Sequence, residues 1–397
     1  MSIPVKAGSA APAHVADRNG LRRTGILALG TFAVGTDSFI LAGFLPDVAG
    51  TLDVSLAGAG LAVTVFAATY ALGSPVLATL TARLARRTLL VSALLVLALA
   101  NLGSALAPAF GILLATRIVA ALGAAAFTPN AAAVASALVP PRARARALAV
   151  VVGGLTVATA LGVPLGQQVT ERMGWRSALI GVAVVCAVAA AGVAAWVPAL
   201  PGNPVVPLAT RLAVLRDRSV AAVLPLTVLG MGAAYTGYAY AVPALGALGI
   251  GASDTAWVLG LYGVGAIAGN LSSGYATDRF GPVAVLTSGY ALMAGSLGAM
   301  AVLASTGARL PVLVGVLALG WGAATWCQTP AQQHRLIAAA PAESGLVVAL
   351  NASCIYLGIG AGSVLGGVTL GHGVTVMFGV AAALALAALG YLRVTAR

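Results

Sequence analysis

The sequence predicts an all-α membrane protein of twelve transmembrane helices in two six-helix bundles. Three observations carry that expectation. Hydrophobic residues make up 60% of the 397 and charged residues only 8%, with a mean hydropathy of +1.02; an ordinary soluble domain carries about 25% charged residues. The apolar residues fall in runs of about 18 or more, each long enough to cross a bilayer as a helix. Short basic or Pro/Gly turns separate the runs.

In chain order, residues 1–23 are polar and mixed, without the short apolar core of a signal peptide, and read as a cytoplasmic tail. Spans are expected at roughly 24–46, 56–80, 88–107, 110–138, 147–169, 176–197, 219–245, 255–276, 283–304, 311–333, 345–370 and 373–392. Residues 198–218 form the longest connection and divide the chain into a bundle over 24–197 and a second over 219–392, with 393–397 as a closing tail. The halves are related by an offset of 196: Gly73 maps onto Gly269, Gly162 onto Gly358 and Gly166 onto Gly362, and the turn at Arg83 onto the turn at Arg279. Repeats of this size mark secondary transporters, with the ligand site at the repeat interface.

Charge sets the orientation. Of the 21 cations only Lys6 is not arginine. Arg172, Arg176 and Arg309 fall on one side, Arg117 lies within a span, and every other cation falls on the opposite side. By the positive-inside rule both termini are cytoplasmic. The net charge of +12 is therefore topology and no nucleic-acid patch. The three cysteines, Cys186, Cys327 and Cys354, fit no metal or disulfide spacing. No P-loop precedes Lys6, and Gly263, Gly265 and Gly269 sit in an apolar run with no strand before them, so neither ATP nor a dinucleotide is expected. No cofactor and no enzyme chemistry are implied; a proton gradient would drive the work.

Two charges stand out because they lie inside spans. Asp37, in Gly35-Thr-Asp-Ser-Phe39, is the one charged residue between Arg23 and Asp47. A carboxylate there costs about 2.5–3.5 kcal/mol on insertion scales, so such residues are rare and functional. Asp37 lies nine residues before Pro46 and Arg117 nine after Pro108. At 1.5 Å per residue both sit roughly 13 Å below the same membrane face. Opposite charges at one depth should meet, as a proton-coupling pair or as a plain structural ion pair.

Other motifs carry a family resemblance. Gly274-Tyr-Ala-Thr-Asp278-Arg279-Phe-Gly281 resembles the GxxxDRxGRR turn of the major facilitator superfamily, while its first copy keeps Arg83, Arg86 and Arg87 but neither the glycines nor the Asp. The resemblance implies a gate in which Gly274 allows close helix contact and Asp278 caps a helix or pairs with Arg279; the alternative is a plain basic loop. Arg117-x3-Ala121-x-Gly123 resembles the RxxxGxG element. Gly153-x8-Gly162-Val-Pro164-Leu-Gly166 resembles the antiporter signature of span 5, or is ordinary glycine packing. The stretch GTDSFILAGFLPDVAGTLDVS with GVPLGQQVTERMGWR is similar to the 12-span drug:proton antiporters, in particular the chloramphenicol-exporter-like branch.

The second half has no embedded charge; Ala233 and Leu313 stand where Asp37 and Arg117 would. It carries instead Tyr235, Tyr238 and Tyr240, then Trp321, Trp326, Gln328, Gln332 and Gln333. In the family these spans line the central cavity. Of this set, Tyr235, Tyr238, Trp321, Trp326, Gln328 and Gln332 would make a wall for a bulky ligand with few formal charges. The expected function is export of a small amphipathic compound, such as an antibiotic, in exchange for protons by a monomer in the cell membrane. The alternatives are a sugar or metabolite permease of the same fold, or a transporter-like receptor without flux. Orientation is directly testable: in intact cells, a cysteine introduced at Asp53 or Asp254 is expected to react with an impermeant maleimide, and one beside Arg144 is not. The reverse labelling pattern would invert the whole topology.

Overall fold

The computed structural model describes residues 20–140, 143–202 and 207–395; most of the expected first tail, including Lys6 and Arg18, lies outside them, as do Arg142, part of the 198–218 connection and the last two residues. Twelve long helices carry the fold. They are α1 Gly20–Ile40, α2 Leu56–Leu80, α3 Arg86–Ala105, α4 Phe110–Ala137, α5 Arg144–Val157 continuing through a π turn Ala158–Gly162 into Val163–Met173, and α6 Trp175–Trp196. The second half repeats the set: α7 Arg218–Tyr238, α8 Ala252–Phe280, α9 Pro282–Thr306, α10 Pro311–Ala339, α11 Ser344–Leu370 and α12 Val374–Thr395. No strand occurs among the described residues. Eleven of the twelve are long and apolar enough to cross a membrane by composition. The other, α8, is the right length at 29 residues, but glycines, Asn270, Ser272 and Ser273 dilute its apolar character.

Each helix of the first half has its counterpart's neighbours in the second. Helix α1 packs on α5 and α6 as α7 packs on α11 and α12; α2 on α4 as α8 on α10; α3 on α4 and α6 as α9 on α10 and α12. The paired glycines do the same job in each half. A side chain on Gly162 or Gly166 would collide with Thr36 or Ile40 of α1, and one on Gly358 or Gly362 with the α7 backbone. Small residues let the backbones meet, and dispersion then supplies what the lipid cannot.

The sequence expected α1 and α7 to run unbroken to 46 and 245. Both stop short. Helix α1 tightens into a 3-10 turn at Leu41–Gly43, Phe44 leaves the helical region, and a short helix Leu45–Thr51 begins with Pro46 in its first turn. Pro46 has no N–H to bond the Ala42 carbonyl and its ring would collide with that carbonyl, so α1 cannot run through it, whereas the first turn of a new helix accepts it. The second half breaks at Tyr240 and resumes at Ala241–Ala247, which is Leu45–Thr51 shifted by the same 196. At the other end the helices outlast the apolar spans: α8 continues to Phe280 and α10 to Ala339.

The halves join unequally. Helix α2 lies along α11 and α5 crosses α8, where Gly263 allows contact with the Ala160 backbone. Away from the basic loops, Tyr240 fills the seam between Gly60 of α2 and Gly367 of α11. One apolar core there takes side chains from both halves. Toward the basic loops the second half keeps two small cores of its own, one around Leu286 and Tyr290 and one around Val223 and Leu336, with no member from the first half. Tyr240 thus ties the halves together at one end, and at the other the second half has packing of its own.

The glycine seam gives a graded expectation. Gly162→Leu and Gly166→Leu overpack the α1–α5 contact, an effect of about 1–3 kcal/mol, and should lower the melting temperature of the purified protein by several degrees. Gly153→Leu, whose Cβ would meet nothing, should melt like the wild type. Equal melting of all three would remove the seam from the account.

Candidate functional site

One turn of α1 touches five other helices. Thr36 abuts Gly162 of α5. Asp37 meets Arg117 of α4, whose Nη2 donates to Oδ1 at 2.7 Å and to Oδ2 at 2.9 Å. Ser38 faces Tyr356 of α11, with 3.2 Å between the hydroxyl oxygens. Phe39 packs against Tyr235 of α7 and Trp326 of α10, at ring separations of 6.0 and 5.9 Å. Helical geometry turns successive residues by about 100°, which spreads the four side chains around the axis. The depth argument from Pro46 and Pro108 thus ends in an ion pair.

Both charges are 1% exposed. One guanidinium nitrogen serves both carboxylate oxygens, and Nε and Nη1 of Arg117 make no hydrogen bond among the described residues. The Phe66 ring lies over the guanidinium at 5.2 Å, a cation–π contact from α2. Phe66 leads on to Tyr356 at 6.2 Å, and Tyr356 stacks on Tyr70 of α2 at 3.7 Å. Ser38 gives its own proton to the Val34 carbonyl at 2.8 Å, so Tyr356 must be the donor in the pair that crosses between the halves.

The second-half aromatics form a continuous cluster. Tyr235 meets Tyr238 at 5.2 Å, Tyr238 meets Tyr262 of α8 at 4.5 Å, and Trp321 meets Tyr262 at 5.2 Å and Phe378 of α12 at 6.2 Å. Sequence reasoning named Tyr235, Tyr238, Trp321 and Trp326 but missed Ser38, Phe39, Phe66, Tyr70, Tyr262 and Tyr356. Tyr356 had a signal: it is the one aromatic residue in α11, and a lone tyrosine in an aliphatic span marks a placed hydroxyl.

The two glutamines differ in how far their polar atoms are taken up. Trp321, Thr325, Gln328 and Gln332 recur at helical spacing and share one face of α10. Gln328 spends its polar atoms inside the second bundle: Nε2 donates to the Thr325 carbonyl, and Oε1 accepts from Tyr290 at 3.0 Å. Gln332 is fully buried, and its Oε1 accepts from Arg335 at 3.4 Å. Gln328 is thus taken up within the second bundle, while Nε2 of Gln332 makes no hydrogen bond among the described residues.

The basic turns are open. Arg83 and Arg87 are exposed, while Arg86 is buried and donates to Asn130 of α4 at 2.6 Å. Asp278 is exposed with no ion pair among the described residues, and Arg279 turns to the Tyr275 hydroxyl at 3.3 Å. A Cβ on Gly274 would meet nothing, so no close helix contact depends on it. Gly281 is needed for its backbone, at φ +82°, which joins α8 to α9. In α5 the close approach to α1 falls at Gly154, against Ala28 and Thr31, and not at Gly153; Pro164 lies in the first turn after the π turn, beyond Val163.

Comparison with known proteins agrees with this architecture. The Major Facilitator Superfamily profile matches residues 27–251 and 224–397. An uncharacterized MFS-type transporter of Bacillus subtilis (strain 168), YbcL, is 33% identical over 344 residues, which cover 86% of this chain and 87% of that protein. A chloramphenicol resistance protein of Streptomyces lividans is 33% identical over 354 residues, 87% of this chain and 88% of its own. The crystal structure of a peptide transporter, POT, superposes with a TM-score of 0.74 over 95% of this chain and 94% of that one, at 15% identity. The chain belongs to the major facilitator superfamily, a family of multi-pass membrane transporters and not of enzymes.

Proposed function

We propose that the protein exports a small, largely apolar compound from the cell in exchange for protons, by alternating access. The observation that carries this reading is the buried Asp37–Arg117 pair, set on the helical turn that also touches the second half through Ser38 and Phe39. Similarity to a chloramphenicol resistance protein supports export of a drug-like substrate.

The chemistry is a competition for one carboxylate. Ionised, Asp37 is held by Arg117, and α1 is tied to α4. A proton arriving from outside takes the place of that bond and leaves the guanidinium without its counter-charge, so α1 is free to shift. The shift acts on Tyr356, Tyr235 and Trp326, all in the other bundle, and converts a local proton into relative motion of the halves. Substrate entering from the cytoplasm favours return of Arg117 to the carboxylate, and the proton leaves inward. With the basic end cytoplasmic, the seam closed around Tyr240 faces outward and the second half's own two cores face inward; we read this as the form that receives substrate. A monomer in the cell membrane suffices, with a six-helix bundle on each side of the 198–218 connection.

Moving one elementary charge through the membrane potential supplies about 2.3 kcal/mol per 100 mV. Among the described residues Asp37 is the one acidic residue in the interior of a long helix, since Glu171, Asp254 and Asp278 lie in the end turns of theirs. Asp37→Asn should therefore still bind substrate and exchange it downhill, yet lose uphill export in vesicles with an imposed pH gradient. Arg117→Ala should also fail but differ in its pH profile. Nothing then displaces the proton from Asp37, so export recovers in part as pH is raised. Export by Asp37→Asn at the wild-type rate, still coupled to protons, would end the proposal.

A further inference from the structure

A groove of about 190 Å³ runs between α1, α5 and α6. Only Thr36 and Ser177 of its lining are polar. The Thr36 hydroxyl lies against Gly162, and that of Ser177 is spent on the Met173 carbonyl at 2.9 Å. Leu165 of α5 and Gly181 of α6 are exposed at its edges, and a Cβ on Gly181 would meet nothing. All three helices are long and apolar enough to cross a membrane, so the groove opens onto hydrocarbon. Water has too few polar partners there to be held.

Length and charge say what fills it. On α6 the lining runs from Ser177 to Val185, about 12 Å of helix axis, against about 15 Å for one leaflet of the hydrocarbon core. It starts where α5 hands over to α6, hence in the leaflet remote from the basic loops. On α5 the lining residues Gly162, Leu165, Gly166 and Val169 recur at helical spacing, and the next place in that row is Arg172. Arg172 is exposed and forms no ion pair among the described residues. Its neighbour Glu171 accepts from Gln167 at 3.1 Å, and Arg176 is held by the Ala107 carbonyl at 2.9 Å. Helix α6 begins beside Arg172 with no side chain on its first N–H groups, which adds the positive end of its dipole. An apolar slot one leaflet long thus ends in positive charge.

We propose that this groove binds a phospholipid with an anionic headgroup, one acyl chain lying in the slot and the phosphate at Arg172 and the start of α6. The binding does not depend on the export reading. Its place does bear on the ion pair, because the chain packs on Thr36 and Ile40, which flank Asp37 along α1. The lipid therefore supports, from the membrane side, the same turn of α1 that holds Arg117.

The test uses the purified full-length protein and two probes with identical chains, dioleoyl phosphatidylglycerol and dioleoyl phosphatidylcholine. Retained lipids are counted by native mass spectrometry. The basic loops will hold phosphatidylglycerol too, so the differences between variants decide. Gly181→Leu fills the groove without meeting protein, and its lipid-free melting temperature should not fall below that of the wild type. It should lose one tightly retained lipid of either kind. Arg172→Gln leaves the groove open and should weaken phosphatidylglycerol at this site about fivefold, the worth of one surface cation, with phosphatidylcholine unaffected. Arg309→Gln removes a cation from the same membrane face beside Gly249, away from the groove, and should change neither. Phosphatidylglycerol retention unchanged in Gly181→Leu or in Arg172→Gln overturns the proposal, and so does an equal loss in Arg309→Gln. A changed oligomeric state of Gly181→Leu with lipid retention intact gives the groove to a second copy of the chain and overturns it as well. Should Gly181→Leu fail to fold, Arg172→Gln against Arg309→Gln decides alone.

Discussion

The structure depends on a salt bridge that makes poor sense as a brace. Taking a carboxylate and a guanidinium out of water costs several kcal/mol each, and a well-packed apolar pair of the same volume is often as stable or more so. Asp37 and Arg117 meet through a single nitrogen, and two of the three guanidinium nitrogens are left unmet. A bridge selected for rigidity would present the fork of the arginine side-on to the carboxylate. This one is half made, as a contact must be if it is to be broken and remade at modest cost.

Its position gives it leverage. In a helix of glycine seams and apolar contacts, neighbouring elements slide together unless something polar pins them. In the interior of α1 the one charged pin is Asp37, with the hydroxyls of Thr31 and Ser38 bonded to Val151 of α5 and Tyr356 of α11. The residues on either side of Asp37 already belong to other partners: Thr36 to α5, Ser38 to α11, Phe39 to α7 and α10. A small rotation of this turn is therefore shared out among both bundles at once. The Tyr356 hydroxyl and the Phe39 ring are the shortest routes by which the first half acts on the second.

Much of this was legible in the sequence, and the reason is the solvent. In lipid, every span must be a helix and every embedded charge needs a partner, so composition alone sets the element type and singles out Asp37 and Arg117. Counting residues from Pro46 and Pro108 placed the two at one depth, and the 196-residue offset matched even the short helices after each break. The contacts between halves were not legible. Tyr356 meets Tyr70 and Ser38 because of how two bundles are set against each other, and no periodicity within a span encodes that. Gln328 looked like cavity lining by its chemistry, but its hydrogen bonds run to Tyr290 and Thr325 within the second bundle. Asp278 matched its motif and yet stands unpaired in this conformation, since a motif records a residue's presence and not the state in which it is used.

The π turn in α5 has a geometric result. Residues 154, 158, 162 and 166 all lie against α1. In a straight α-helix positions four apart drift by about 40°, hence by about 120° over this run, and the seam would wind off its partner. The wider turn at Ala158–Gly162, with about 4.4 residues per turn, winds back by about 30° and holds the total near 50°. It works as a vernier: one extra residue resets the phase of the helix and keeps a long row of small residues on one line. It also explains why Gly154, and not Leu155 seven residues back, is in phase with Gly162. Were that extra residue to migrate a turn along α5, the upper part of the helix would swivel without losing its hydrogen-bonded character, and the surface offered to α1 would change from glycine to leucine or valine.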